Sequence, residues 1–224
     1  MSARYSATRT SLRTGAIMVL FTLVFTALMA TTYGVTRPAI EASKQEAQQR
    51  LVNEVLPPAA YDNALLDDVV RITAPTALGM DGGARVWRAR KAGAPVALVV
   101  EGAATDGYAG RIELLVAIGK DGRLSGVRVT AHKETPGLGD YIDPKKDRRK
   151  DQPWIDQFAG TTWADVNTSG WTVRKDGGSF EYRAGATISA RAVTRAVGRI
   201  TAFATGRIDA LFAAPAGSAL GEET

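Results

Sequence analysis

The stretch Gly185-Ala-Thr-Ile-Ser189 combines small residues with hydroxyls where a predicted strand gives way to a predicted helix. Gly185 and Ala186 let a ligand approach the backbone, and the free N–H groups and helix dipole favour a phosphate there. The Thr187 hydroxyl would lie beside that phosphate and can donate a hydrogen bond or accept a phosphoryl group as an ester. The alternative is a helix cap provided by Thr187 or Ser189, which the local sequence alone favours.

The composition excludes several other kinds of reactive centre. The chain has no cysteine, so disulfides, cysteine-ligated zinc, iron–sulfur clusters and c-type haem attachment are excluded. Its single histidine, His132, excludes a multi-histidine metal site within one chain. Any redox chemistry must then come from an organic cofactor, and we expect no metal site.

An uncharged apolar segment near the N-terminus predicts a transmembrane helix over residues 14–36. A helix of this length can cross the roughly 30 Å hydrocarbon core of a bilayer once. A cleaved signal peptide is the alternative, but its apolar stretch would be about 7–15 residues long and followed by an Ala-x-Ala-like site. This segment is longer, and no such site lies near its end.

The charges before the span predict its orientation. Arg4, Arg9 and Arg13 precede it without any acidic residue, so the positive-inside rule predicts a cytoplasmic tail over residues 1–13. Everything after Arg37 would then lie on the opposite side of the membrane. Residues 37–68 are predicted as a stalk or packing helix and linker, with the helix covering Ala39–Leu56 until two prolines end it.

From about Val69 the pattern becomes that of β-strands. Val96–Val100 and Ile112–Ile118 are apolar runs of strand length. A turn at Lys120-Asp-Gly-Arg123 leads into Ser125–Thr130, which predicts a hairpin.

The second half of the chain mixes both kinds of element. Trp171–Arg174 and Ser179–Arg183 flank a Gly-containing turn and predict a second hairpin. Trp154–Phe158 predicts a short helix, and Ile188–Phe212 has the apolar spacing of a long one. The fold class is therefore α+β, with an antiparallel sheet and a C-terminal helix over residues 69–212 and a flexible tail over 213–224.

The net charge of +5 includes a basic run, Lys145-Lys-Asp-Arg-Arg-Lys150. Such a run can bind nucleic acid. Beyond a membrane it is better explained as a solvated loop or a partner surface, so we predict no nucleic-acid partner.

The stretch Phe180–Val193 resembles the flavinylation motif of the FMN-binding domain. That domain occurs in the G subunit of the Rnf (Rsx) ion-translocating electron-transport complex and in the C subunit of the sodium-pumping NADH:quinone reductase. The motif has an acidic residue, two variable positions, a small residue and then Gly-Ala-Thr. His132-Lys-Glu-Thr-Pro-Gly-Leu-Gly139 and Asp106-Gly-Tyr-Ala-Gly110 are similar to stretches of the Rnf protein specifically.

This resemblance implies that the Thr187 oxygen is esterified to the phosphate of FMN by a separate flavin transferase outside the cytoplasm. It further implies other membrane subunits of an Rnf-type complex as partners, in the bacterial inner membrane, with the main domain periplasmic. Glu181 departs from the motif, which usually has the shorter Asp at that position. If the transferase requires this acid at a fixed distance, modification of Thr187 would be slower or incomplete. We still expect Thr187 to be modified.

Further residues are candidates for the environment of the flavin. Gly185, Ala186 and Ser189 adjoin Thr187, and the Pro136-Gly137 turn would present four more side chains: His132, Glu134, Thr135 and Leu138. A purely structural turn is the alternative. Among Arg191, Arg195 and Arg199, which recur at four-residue steps, Arg191 is the candidate for cofactor contact, and the others suit a solvated stripe or an acidic partner.

The resemblance implies that the chain is a membrane-anchored electron-transfer subunit of a translocase complex. We expect it to have no turnover of its own and no catalytic side chains. A single span with no intramembrane charge cannot form the ion path alone. The alternatives are a C-type subunit of a sodium-pumping NADH:quinone reductase and a flavin-free structural subunit.

Overall fold

The computed structural model describes residues 7–221, with the side chains of Ala7, Thr8 and Asn167 excepted. Arg4 of the predicted cytoplasmic tail and residues 222–224 of the predicted flexible tail lie outside the described residues. The chain divides into two compact units, one ending at Gln48 and the other beginning at Gln49.

Helix α1 (Ala7–Val55) contains the segment predicted to span a membrane. It is the one helix in the described chain that is long and apolar enough to do so, and its most apolar part is exposed. Threonine hydroxyls in this segment donate to carbonyls four residues earlier, for example Thr22 to Met18 at 2.9 Å and Thr31 to Ala27 at 2.7 Å. In a bilayer, such internal bonds would satisfy polar groups that would otherwise meet lipid.

The predicted helix Ala39–Leu56 is continuous with the span, because Pro38 lies inside α1. Its last residues belong to the second unit, where Val52, Val55 and Leu56 are buried against one face of a sheet. Part of the predicted stalk is therefore a core element of the folded unit. The helix ends just before Pro57, as the prolines predicted.

A six-stranded sheet forms the centre of the second unit, in the order β5-β4-β3-β2-β1-β6. Its strands are β1 (Val69–Thr73), β2 (Ala84–Lys91), β3 (Ala94–Gly107), β4 (Gly110–Gly119), β5 (Leu124–Ala131) and β6 (Ala219–Gly221). All neighbours pair antiparallel except β1 and β6, which are parallel. The predicted hairpin is confirmed as β4 and β5, and β6 shows that part of the tail expected to be flexible is hydrogen-bonded to β1.

Among the described residues, four helices follow α1: α2 (Pro75–Leu78), α3 (Trp163–Gly170), α4 (Thr187–Gly206) and α5 (Ile208–Ala213). Short 3₁₀ helices occupy Pro58–Ala60, Gly139–Ile142, Trp154–Phe158 and Arg174–Asp176. The predicted helix Ile188–Phe212 is thus split after Gly206, where the φ of −123° and ψ of 13° at Arg207 depart from helical values. The predicted short helix Trp154–Phe158 is confirmed as a 3₁₀ helix.

The prediction of a second hairpin over Trp171–Arg174 and Ser179–Arg183 is wrong. Among the described residues of this segment, the only strand-like contact is an isolated bridge between Val173 and Phe180. The apolar residues are instead buried in the core, with the Trp171 and Phe180 rings 5.0 Å apart. The alternation of apolar and polar residues in this segment therefore reflects the packing of a loop, and not the two faces of a strand.

Strand β3 shows how the sheet is covered on both faces. Leu98 and Val100 join a core cluster with Val193 and Val197 of α4, whereas Val99 joins the cluster around the end of α1. Because successive strand side chains alternate between faces, a strand buried on both sides is a continuous apolar run. This arrangement holds the start of α4 beside the C-terminal ends of β3 and β5.

Candidate functional site

A cavity of about 220 Å³ lies where three segments of the second unit meet. They are the turn between β3 and β4, the loop after β5 and the start of α4. The residues that line it are Tyr108, Glu134, Thr135, Leu138, Gly139, Gly185, Ala186, Thr187, Ile188 and Ser189. Seven of the nine candidate residues named from the sequence are therefore brought together.

The start of α4 has no side-chain cap among the described residues. Ala186 is the N-cap residue, and no side chain accepts a hydrogen bond from the first backbone N–H groups. Thr187 is the first helical residue, half-buried, and its hydroxyl makes no hydrogen bond to any described residue. The cap that local sequence favoured is therefore wrong, and the uncapped N–H groups with the helix dipole form a place for an anion.

Gly185 gives this turn its shape. Its φ is +87°, in the left-handed region that side chains disfavour, and a Cβ built on it would meet no atom within 4 Å. The backbone before Thr187 therefore faces open space at the cavity, which is what a ligand needs to approach.

Glu134 links the three walls of the cavity. This carboxylate is buried, with 4% of its surface exposed. It accepts hydrogen bonds from the backbone N–H of Ala109, at 3.1 Å, and from the Ser189 hydroxyl. A Cβ at Gly139 would lie 2.8 Å from Glu134 Oε2, so glycine makes room for the carboxylate.

His132 supports this arrangement without lining the cavity. Its Nδ1 accepts a hydrogen bond from the backbone N–H of Glu134 at 3.1 Å. The predicted turn at Pro136-Gly137 is confirmed, because the N–H groups of Leu138 and Gly139 both donate to the Thr135 carbonyl at 3.1 Å. Leu138 is thereby presented outward.

Exposed apolar surface in the second unit is concentrated at this cavity. Among the described residues from Gln49 onward, the large apolar side chains that are exposed are Tyr108, Leu138 and Ile188, at 67%, 55% and 44%. All three line the cavity. A cluster of this kind marks a surface that binds something.

The charge around the cavity is negative or absent. Within the described residues, no lysine or arginine lines it, and the one charged residue is Glu134. An anion at Thr187 would therefore be held by the backbone N–H groups and the dipole of α4, without a cationic side chain at the cavity. Such a site binds an anion more weakly than one that also supplies a lysine or arginine.

Arg191 does not line the cavity. Its guanidinium forms a two-point ion pair with Asp176, with Nη2 3.0 Å from Oδ1. This pairing raises the pKa of Arg191 and lowers the pKa of the Asp176 carboxyl. The structure thus places Arg191, a candidate for cofactor contact, outside the cavity lining and in an ion pair that holds the loop before α4.

A second network fixes the backbone just before Gly185. The Tyr141 hydroxyl accepts from the Arg183 N–H at 3.1 Å and donates to the Ala186 carbonyl at 3.4 Å, and burial raises its pKa. The Arg183 guanidinium lies 4.6 Å from the centroid of the Tyr141 ring and pairs with buried Asp147. Burial opposes ionisation of Asp147, but hydrogen bonds from the Trp154 and Arg149 N–H groups and from Arg183 outweigh it and lower its pKa.

Glu181 lies apart from the cavity, on the surface. Its carboxylate is exposed and pairs with Arg174 at 2.6 Å. Its backbone is fixed by Gln157, whose side-chain oxygen accepts at 2.7 Å, and by the Trp154 indole, which donates at 2.7 Å.

Sequence reasoning missed Tyr108, Gly139 and Ile188 as cavity residues. A signal existed for each, because Tyr108 lies within Asp106–Gly110, Gly139 ends the His132 stretch and Ile188 lies between Thr187 and Ser189. What the sequence could not indicate was that the apolar side chains at 108 and 188 would be exposed.

Comparison with known proteins agrees with the resemblance. Residues 107–202 match the family model of the FMN-binding domain, and residues 1–55 match that of the RnfG N-terminal region. The G subunit of the ion-translocating oxidoreductase complex from Pseudomonas aeruginosa is 44% identical over 189 residues, covering 84% of this chain and 86% of the relative. The chain belongs to the RnfG family, the G subunits of ion-translocating oxidoreductase complexes.

Other members of the RnfG family are similar over the same extent. The one from Pseudoalteromonas atlantica is 40% identical over 90% of this chain and 92% of its own length. The one from Salmonella typhimurium is 42% identical over 85% of this chain and 89% of its own. Among solved structures, the crystal structure of Shewanella oneidensis NqrC aligns with a TM-score of 0.43 and 23% identity, over 72% of this chain and 73% of that one.

Membership of the RnfG family favours the Rnf assignment over a C-type subunit of a sodium-pumping reductase. Every residue that lines the cavity, from Tyr108 to Ser189, falls inside the segment that matches the FMN-binding domain. The chain is thus one subunit of an oxidoreductase complex and contains an FMN-binding domain.

Proposed function

We propose that this RnfG-family protein carries FMN on the Thr187 oxygen and passes electrons within its complex. The observation that supports this most is the coincidence of two features at one cavity. An uncapped helix start presents a free threonine hydroxyl, and the three exposed apolar side chains of the folded unit lie around it. The helix start suits the phosphate of a phosphorylated aromatic ligand, and the apolar side chains suit its ring.

The residues present fit the two ends of FMN. The N–H groups of the first turn of α4 would hold the phosphate, with open space over Gly185 for its approach. Tyr108, Leu138 and Ile188 would contact the ring system. The cavity of about 220 Å³ is smaller than the roughly 300–1,000 Å³ of pockets that enclose a whole ligand, so part of the flavin would remain at the surface.

The attachment is a phosphoryl transfer. The Thr187 oxygen attacks the phosphorus of an activated flavin phosphate, a P–O bond to the leaving group breaks, and the hydroxyl proton leaves with that group. The chain gains the mass of FMN less one water, with no change of oxidation state. Because the Thr187 hydroxyl has no hydrogen-bond partner among the described residues, no internal bond has to be broken for this step.

The covalent bond has a physical reason in the charges of the cavity. Among the described residues that line the cavity, only the backbone N–H groups and the dipole at the start of α4 favour the phosphate, and the Glu134 carboxylate opposes them. A tether replaces weak binding by a high effective concentration, so the flavin stays with the protein. When bound, the flavin supplies one- and two-electron transfer, while the chain orients it and shields part of it from water.

The membrane arrangement follows from the span and its charges. We place residues 1–13 in the cytoplasm, residues 14–36 in the inner membrane and the FMN-binding domain in the periplasm, supported by Arg9 and Arg13 on the N-terminal side. A flavin transferase would modify Thr187 there. Exposed Glu181 remains accessible to that enzyme, and other membrane subunits would supply and remove electrons and complete the ion path.

Denaturing gels test the proposal. The full chain is produced with its flavin transferase, together with Thr187→Ala and, as a matched hydroxyl control, Thr135→Ala from the opposite wall of the cavity. A fluorescent band should survive denaturation in the parent and in Thr135→Ala and be absent from Thr187→Ala, which should keep its circular dichroism spectrum. Fluorescence in Thr187→Ala, or none in the parent, would favour a different attachment site or a flavin-free structural subunit.

A further inference from the structure

A second concave surface lies on the outer side of α4, away from the residues that line the flavin cavity. It encloses about 370 Å³ between α4 and the segment around α3. Its wall contains Trp163, Thr168, Trp171, Thr172, Arg195 and Arg199. We call it the arginine–tryptophan groove.

The two arginines of this groove form no ion pair among the described residues, although Asp176 interacts electrostatically with Arg195 from outside the groove. Arg195 and Arg199 are one helical turn apart, and neither forms an ion pair with a described carboxylate. Arg191, one turn earlier, is already neutralised by Asp176. None of the described acidic residues lines the groove, so its field is positive.

The floor of the groove is aromatic and rich in hydrogen-bond donors. The Trp163 and Trp171 rings stack, with centroids 5.8 Å apart and planes inclined by 13°. The Trp171 indole N–H and the Thr172 hydroxyl are buried and have no hydrogen-bond partner among the described residues. Arg199 Nη2 reaches only the Ala103 carbonyl, at the long distance of 3.5 Å.

This combination is typical of a protein interface and not of a solvated helix face. Tryptophan and arginine are the residues most enriched among those that contribute strongly to protein binding. Paired positive charges with an aromatic floor are complementary to carboxylates that adjoin an apolar or aromatic side chain. Trp171 packs in the core, whereas Trp163 is only partly buried and keeps ring surface at the groove beside the two arginines.

We infer that the arginine–tryptophan groove docks an acidic segment of another subunit of the same complex. Carboxylates of that segment pair with Arg195 and Arg199, and a neighbouring side chain packs on Trp163. The inference rests on the family of the chain, which makes it one subunit among several, and does not depend on flavin attachment at Thr187.

Charge reversal tests the electrostatic part. The full chain is purified with the other subunits of its complex, as parent, as Arg195→Glu and as Arg195→Glu/Arg199→Gln. The matched control is Lys133→Glu, an exposed cation of the loop after β5 that lies outside the groove and gives the same change of charge as Arg195→Glu. The amount of this chain that stays with the complex is measured at rising salt concentrations.

Both groove variants should dissociate from the complex at lower salt concentrations than the parent. At the salt concentration where variant and parent differ most, about tenfold less of the variant chain should stay with the complex. The loop variant should behave like the parent. Thermal melting and in-gel flavin fluorescence establish that the groove variants are folded and modified. Equal losses in the loop and groove variants, or no loss in either, would overturn the inference.

Site-specific cross-linking tests the identity of the occupant. Because the chain has no cysteine, Thr168→Cys introduces a single thiol on exposed α3 at the groove. A short thiol-directed photo-cross-linker on the purified complex should capture a peptide of another subunit rich in Asp and Glu, and Arg195→Glu should reduce the yield. A cross-link to lipid, to a peptide of this chain or to a peptide without acidic residues would contradict the assignment, as would no cross-link.

Discussion

The Ser189 hydroxyl donates a hydrogen bond to Glu134, a buried carboxylate 55 residues earlier in the chain. The pair joins the first turn of α4 to the loop after β5. Because Glu134 also accepts from the Ala109 N–H, one carboxylate fixes all three walls of the cavity. The position of Thr187 therefore depends on a contact that the hydroxyl of Ser189 provides.

Removal of this hydroxyl should destabilise the folded unit. Ser189→Ala leaves one oxygen of a buried carboxylate without its donor, which costs about 1–3 kcal/mol in the free energy of unfolding. The control is Ser179→Ala at a position outside the cavity, where we expect a change within about 0.5 kcal/mol. Urea unfolding of both variants measures the difference, and equal stabilities would show that the Ser189–Glu134 contact is not structural.

Two glycine substitutions should act with opposite signs. Gly185→Ala forces a side chain into the left-handed region and should destabilise the protein by about 1–2 kcal/mol, although the space around it is open. Gly206→Ala, at the end of α4 with no neighbour within 4 Å and no positive φ, should stabilise it by about 0.5–1 kcal/mol. Thermal unfolding gives both signs, and a Gly185→Ala protein as stable as the parent would contradict the backbone geometry.

Tyr108 should shield the attached flavin. With Thr187 intact, Tyr108→Ala should leave the flavin content unchanged and increase quenching of flavin fluorescence by iodide, because an exposed ring that covers the cavity is removed. Tyr108→Phe keeps the ring and should resemble the parent. If the alanine variant gives the same quenching constant as the parent, the flavin does not contact this residue.

The stability of the folded unit should depend on pH in the acid range because of Asp147. Its pKa lies below the ordinary value of 3.8, so its ionised form favours the folded state. This contribution is present above the unfolded-state pKa and is lost as the pH falls through the lower folded-state pKa. Asp147→Asn should therefore be less stable than the parent at neutral pH, and the gap should shrink below about pH 4.

The measurement for Asp147 is urea unfolding between neutral pH and acid pH. Asp151→Asn, an exposed carboxyl in the same loop, is the control and should track the parent throughout. A gap between Asp147→Asn and the parent that is constant with pH would mean that the Arg183 and backbone hydrogen bonds do not favour the charged form.

Local sequence predicted the elements that position the candidate site, because their determinants are local. The uncharged run of α1, the turn between β4 and β5 and the Pro136-Gly137 turn each depend on adjacent residues. The Gly-Ala-Thr stretch was predicted to open a helix, and α4 does begin at Thr187.

What local sequence could not indicate is set by residues far apart in the chain. Arg191 pairs with Asp176 across a segment that the sequence predicted as a hairpin turn, and no local pattern indicates that pairing. Apolar alternation at Trp171, Val173 and Phe180 has the period of a strand, but core packing buries all three. Whether Tyr108 would be exposed depends on the turn between β3 and β4, which periodicity does not specify.

The proposed function depends on a phosphoester at Thr187, which intact-mass spectrometry detects. The full chain is produced with its flavin transferase, its mass is measured, and the added group is mapped by peptide fragmentation. We expect an increase of one FMN less one water, on the peptide that contains Thr187. An unmodified mass from fully folded protein, or the same increase on a peptide that lacks Thr187, would contradict it.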